Sequence, residues 1–332
     1  MSEDLRQFGS WSGENVTMGQ VLSALDDLRR GEERAASRTS VVNLVVVAPD
    51  DARAARATNA IHGMGGRHPG RSVTVVCRGT GQDDEPGGLD ADVALHGSLA
   101  DGHRVWSEDV RLGVRGPLSH HLDSLVEPLT LPDLPVVVWF TGHPPTLDEP
   151  LLQAADAVVV DTKEPAAEQL AAVSTLAQRH TVVDLAWIRL HPWRNLLAGL
   201  FEPTALRPFV TGITSATVSG KPGARLLLGG WLVSRLSLAP SAITLADGRH
   251  ASMSLTGECG GERAEFRVWR SEGDRVVNAR ASTVEGGEPG NIRADDRMAL
   301  PDDAMSWSLA EALTHLRRDR VHAAALQAAL AL

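Results

Sequence analysis

Val41–Ala48, VVNLVVVA, limits what this chain can become more than any other stretch. A short, nearly continuous run of valine, closed by Pro49-Asp50-Asp51, reads as a strand buried on both faces. Such strands belong to sheets whose two faces are both covered by helices. The following residues agree. Pro49-Asp50-Asp51 starts a helix through Ile61, Gly63–Gly70 returns the chain, and Arg71–Cys77 is a second valine-rich strand. That is a βαβ unit of ordinary length, which favours parallel neighbours. At 332 residues, 43% hydrophobic and 22% charged, the chain has the size and composition of two globular domains.

Residues 1–40 are polar around one amphipathic helix, with Val16, Val21, Leu22, Leu25 and Leu28 near helical spacing, Thr17 as its cap, and a charged linker at 31–40. The domain over 41–180 is expected to be α/β, a Rossmann-like mixed sheet with flanking helices. Beyond the βαβ unit it has an acidic Gly/Asp/Pro-rich loop at 80–90 and an antiparallel pair at 91–96 and 105–114. A helix at 117–126, strands at 136–140 and 157–160, and an alanine-rich helix at 164–180 follow. The domain over 181–332 is expected to be α+β. After the Asp184–Arg194 run it has a strand, a glycine turn with Lys221 and Arg225, and a helix from about Gly223 to Leu236. From Ile243 the sequence alternates polar and apolar between Gly, Asp and Arg turns, as in an antiparallel sheet with one wet face. Two helices, 306–316 and 319–330, with Ser306 and Asp319 as caps, are expected to cover that sheet.

Several functions are excluded or weakened at this level. The βα turn Ala48-Pro49-Asp50-Asp51 has no glycine and two carboxylates, so it is no dinucleotide cradle. Ser219-Gly220-Lys221 has a phosphate-loop look, but Ser215 stands where the first glycine is needed and Pro222 where the hydroxyl is needed, so it is no NTP site. A net charge of −10 argues against nucleic acid and gives no attraction to anionic membrane. No window approaches the ~18 continuous apolar residues of a membrane span. Glu3, Asp4 and Arg6 precede any apolar run, so a signal peptide is not expected and a cytoplasmic location is. Cys77, expected buried, and Cys259, expected exposed, lie in no zinc spacing. Adjacent His120 and His121 point in different directions on a helix, so no metal set emerges. His68 and Arg71 offer a basic turn. Ser219, Gly220, Lys221 and Gly223 form a candidate anion-binding turn at a helix start.

The most distinctive run is Asp184–Arg194, DLAWIRLHPWR, with Trp187, Trp193, Arg189 and Arg194 in eleven residues. Pro192 should begin a new helix, with His191 near its cap. Trp and Arg supply interface hot spots, and they are equally ordinary core and salt-bridge residues. This run resembles the DLAW-x-R-L-x-PWR segment of the OpcA family of glucose-6-phosphate dehydrogenase assembly and activator proteins, with His191 where threonine is usual. The TSVVNLVVVAPD strand, the turn Arg67–Arg71, the PLTLPDLPVVVWF segment and the Leu226–Leu232 helix are similar to that family too. The resemblance implies a non-catalytic protein, without cofactor, that binds glucose-6-phosphate dehydrogenase and promotes its assembly and activation. Trp187, Arg189, Trp193, Arg194, Lys221 and Arg225 would then form or support the partner-binding surface. The alternative is a sugar-phosphate- or nucleotide-binding enzyme or sensor that uses the Gly220-Lys221 turn.

Overall fold

The computed structural model describes residues 6–31, 40–78, 87–100, 103–165, 167–285 and 288–332, so the bulk of the expected linker and of the acidic loop lies outside the described residues. The chain is mixed α/β with two sheets and forms two compact units. One takes the chain up to Asp161 with His180–Val183 and Met305–Arg317. The other takes Thr162–Arg179, Asp184–Ala304 and Arg318–Leu332.

The first unit is built on an eight-stranded sheet. Its elements in chain order are β1 (Arg6–Gly13), α1 (Met18–Gly31), β2 (Val42–Ala48), α2 (Asp51–Gly63), β3 (Gly70–Cys77), β4 (Gly88–Ala100), β5 (His103–Arg115), α3 (Leu122–Val126), β6 (Val136–Phe140), β7 (Ala157–Val160) and β8 (Val182–Asp184), in the spatial order β1-β4-β5-β3-β2-β6-β7-β8. The valine-rich β2 sits inside, parallel to both β3 and β6, and Val45, Val46, Val75 and Val138 have 2% exposure or less. Asn43 is the polar break in that strand and is fully used. Its side chain donates to the carbonyls of Leu131 (2.9 Å) and Leu134 (3.3 Å) and accepts from Leu131 N (2.7 Å), tying the proline-rich turn to the sheet.

Helix α1 opens with a reciprocal cap. Thr17 N donates to Gln20 Oε1 at 2.9 Å and Gln20 N to Thr17 Oγ1 at 3.4 Å. Asp50 caps α2 by accepting from Arg53 N at 2.6 Å. The Arg67–Arg71 turn is not the open basic turn expected. Arg71 is buried and gives its guanidinium to Glu108 (2.9 Å) and to the Leu129 carbonyl, because an interior guanidinium must be paired. His68 Nε2 lies 2.9 Å from the carbonyl oxygen of Ala310. The expected helix over 117–126 is a 3-10 turn, Gly116–His120, followed by α3.

The second unit contains α4 (Ala167–Arg179), α5 (Leu185–Arg189), α6 (His191–Gly199), β9 (Ile213–Gly220), α7 (Pro222–Leu236), β10 (Ile243–Asp247), β11 (Ser252–Cys259), β12 (Glu262–Arg270), β13 (Val276–Glu285), β14 (Glu288–Ala299) and α9 (Arg320–Ala329). Helix α8 (Ala304–Thr314) precedes α9. The six strands order as β10-β9-β11-β12-β13-β14. The expectation of an antiparallel sheet needs one correction: β10 runs parallel to β9. Helix α7 carries the chain back from the end of β9, so it re-enters the sheet in the same direction. Helix α6 packs on β12–β14, and Phe201 and Phe209 meet Phe266 at 4.4 and 6.0 Å between ring centroids. Helix α7 packs on α9 so closely at Gly230 that a Cβ there would lie 2.1 Å from the Ala325 carbonyl oxygen.

The two last helices do not both cover this sheet. α9 packs on α7 and α4, whereas α8 from Met305 onward belongs to the first unit. Ser306, expected as a cap, lies inside α8 and is buried. Cys77 and Cys259 are both free and half-buried. Among the described residues no helix is long and apolar enough to cross a membrane.

Candidate functional site

The DLAWIRLHPWR run folds as two short helices with a break at Leu190. Pro192 stands in the first turn of α6, where its missing N–H costs nothing. Asp184 starts α5 as its N-cap. With 1% exposure it accepts from Ala186 N (2.9 Å), from Thr162 N (3.1 Å) and from the Thr162 hydroxyl. His322 Nε2 lies 3.5 Å from Asp184 Oδ2. Burial raises the Asp184 carboxyl, but His322 and the Thr162 hydrogen bonds outweigh it and hold the group below the usual carboxylate range.

Trp187 is 3% exposed. The Arg194 guanidinium lies 3.5 Å from its ring centroid, and His322 stacks on it at 5.2 Å and 29°. The indole N–H donates to Asp319 Oδ2 at 2.8 Å, and Arg194 Nη2 donates to the Trp187 carbonyl at 3.1 Å. A desolvated cation over an indole is worth about 2 kcal/mol. Burial pushes Arg194 down to about 10, with Asp319 opposing. At that value it stays a cation at neutral pH. Trp193 is 7% exposed and donates its indole N–H to the Ala251 carbonyl at 2.8 Å. Both indoles therefore lie inside their own unit. The outer face of α6 carries His191, Asn195 and Ala198, all exposed, and Arg189 is half-exposed on α5.

The glycine turn forms a second group. Ser219 and Gly220 end β9, Lys221 is exposed in the N-cap position of α7, and Arg225 reaches back to the Asp247 carboxylate. Lys221 makes no ion pair among the described residues. The helix start has few donors to offer an anion. Pro222 has none, Gly223 N–H donates to Lys163 O at 3.2 Å, and Arg225 N–H to Lys221 O at 3.0 Å. Gly223 is needed for this: a Cβ would lie 1.8 Å from the Thr162 carbonyl oxygen. Thr162-Lys163 thus touches both groups, through Asp184 on one side and Gly223 on the other.

Thr162, Asp319 and His322 complete this cluster; Thr162 and His322 have no signal in the sequence, and Asp319 signals only a helix cap. Asp319 reads as a helix cap and is one, accepting from Val321 N (2.8 Å) and His322 N (3.0 Å), but its other oxygen holds an indole 132 residues away. A cap motif announces only its local half.

Two family descriptions match the chain in order. Residues 62–178 match the family described as glucose-6-phosphate dehydrogenase subunit N-terminal domain, and residues 180–326 the one described as its C-terminal domain. Among curated proteins, the OxPP cycle protein OpcA of Synechococcus elongatus is 27% identical over 183 residues, 52% of this chain and 38% of its own length. The protein of that name from Synechocystis is 27% identical over 193 residues, 54% of this chain and 40% of its own. The match therefore takes in about two fifths of those relatives' length. With both of its halves matched in order, the chain belongs to the OpcA family.

Proposed function

We propose that this protein is a non-catalytic, cytoplasmic partner of glucose-6-phosphate dehydrogenase, which it binds and shifts toward an assembled, active state, so controlling flux into the oxidative pentose phosphate pathway. The observation that carries this reading is the pair of matches, over 62–178 and 180–326, to domains described as belonging to a glucose-6-phosphate dehydrogenase subunit. Physically, an activator must bind the active state of its target more tightly than the inactive one, and only that difference moves the population.

The cluster around Trp187 suits a supporting role. Its charged groups are held by interior neighbours: Arg194 over the Trp187 indole and Asp184 by the Thr162 hydroxyl. Trp187, Trp193 and Arg194 hold the α5–α6 corner from within, while Arg189, Lys221 and Arg225 are the members that meet the partner. A rigid corner limits the side-chain ordering that binding would otherwise cost.

The test is a steady-state assay of the same organism's glucose-6-phosphate dehydrogenase titrated with this protein. A saturable rise in rate is the expected result. An unchanged rate across the titration, with folded protein, contradicts the activator reading.

A further inference from the structure

A second cluster of titratable groups lies in the first unit, and it owes nothing to the proposed partner. Ser72 on β3 and Asp109 on β5 are directly paired in register. His96 on β4 is two residues along from Ala94, the partner of Asp109, so it occupies the diagonal position on the same face. His62, in the last turn of α2, closes the group from the helix layer.

The distances are those of a cage around one oxygen. His62 Nε2 lies 2.6 Å and His96 Nδ1 3.1 Å from the same Asp109 Oδ2, and the three donor atoms all fall within 4.8 Å of one another. The other carboxylate oxygen, Oδ1, accepts from Ser72 Oγ at 2.6 Å. That hydroxyl fixes the carboxylate from behind, the outer-shell arrangement that orients a metal ligand. His96 is 8% exposed, yet its buried Nδ1 is not aligned for a hydrogen bond to the oxygen it faces.

The geometry points to His62, His96 and Asp109 as a binding site for one divalent first-row transition ion. Two imidazoles and a carboxylate suit zinc(II), cobalt(II) or nickel(II), whereas magnesium and calcium prefer oxygen-only sets. Ligand bonds near 2.1 Å in a tetrahedron set donor atoms about 3.4 Å apart, so an ion would spread the Asp109 contacts by less than an ångström. A cavity of about 30 Å³ borders Asp109 and Ser72 and has room for a water at a fourth position.

The test is zinc binding to the full chain, read by competition with a chromophoric chelator and by metal content after gel filtration. About one zinc per chain is expected. His62→Ala, a half-exposed helix position, should lose it, and Ser72→Ala should bind it about 10- to 100-fold more weakly. Loading with cobalt(II) adds a readout on the unaltered protein, hyperfine-shifted proton resonances from two imidazole rings. Folded wild-type protein that retains no zinc overturns the site and leaves a plain ion-pair cluster. So does undiminished retention by folded His62→Ala, or a cobalt protein with no shifted imidazole.

Discussion

Asp184 and Asp109 are both largely buried carboxylates beside histidine, and both are held below their ordinary range, but they are built for different work. Asp184 has 1% exposure, and three of its contacts are donors fixed on the framework: two main-chain N–H groups and the Thr162 hydroxyl. One imidazole stands by at 3.5 Å. Asp109 keeps 17% side-chain exposure, accepts from Ser72 and faces two imidazoles carried on separate elements. Main-chain donors make a lock, since moving them would unfold a helix start. Side-chain donors make a cage that can open by rotation. The same residue type therefore serves as scaffold in one unit and as a candidate ligand in the other.

Removing the lock should have the largest effect. Asp184→Ala leaves the Thr162 and Ala186 donors unpaired in the interior and should cost about 3–5 kcal/mol of stability in denaturant unfolding. A loss under 1 kcal/mol would make Asp184 no more than a helix cap. Asp109→Asn keeps an acceptor for Ser72 and should cost about 1–3 kcal/mol. The contrast to look for is that zinc raises the melting temperature of Asp184→Ala but not of Asp109→Asn.

Acid sharpens the comparison. Each carboxyl has a folded pKa below its unfolded value of about 3.9. The stability it contributes is therefore present above about pH 4 and lost as pH falls through the depressed value. Unfolding midpoints followed downward from pH 5 should fall more steeply in wild type than in Asp184→Ala. Parallel profiles would remove the carboxylate from the account. The smallest effect belongs to the exposed turn: Lys221→Ala should change stability by no more than about 0.5 kcal/mol.

Much of the architecture is readable from local pattern. The valine runs, the Thr17 cap, the hairpin strands and the helix starting at Pro192 each follow from spacing and caps. What escapes depends on neighbours. Strand β1, RQFGSWSG, has polar and glycine positions and is exposed over much of its length; pairing with β4 makes it a strand. β14 carries Arg293, Asp295, Asp296 and Arg297, charges that suit a sheet edge but hide its strand character. The Asp184–Arg194 run stands out in sequence, yet Thr162, Asp319 and His322, which explain its chemistry, are remote. His62 and Asp109, 47 residues apart, meet only because strand register and helix packing bring them together.

The most direct test of the proposed partnership is sedimentation velocity of folded wild-type protein mixed with the same organism's glucose-6-phosphate dehydrogenase. The account predicts a saturable, faster-sedimenting complex that Lys221→Ala weakens at unchanged melting temperature, and that Trp187→Phe, which removes the interior indole hydrogen bond to Asp319 and keeps a ring under Arg194, leaves intact. Independent sedimentation of the two proteins at every ratio would contradict it.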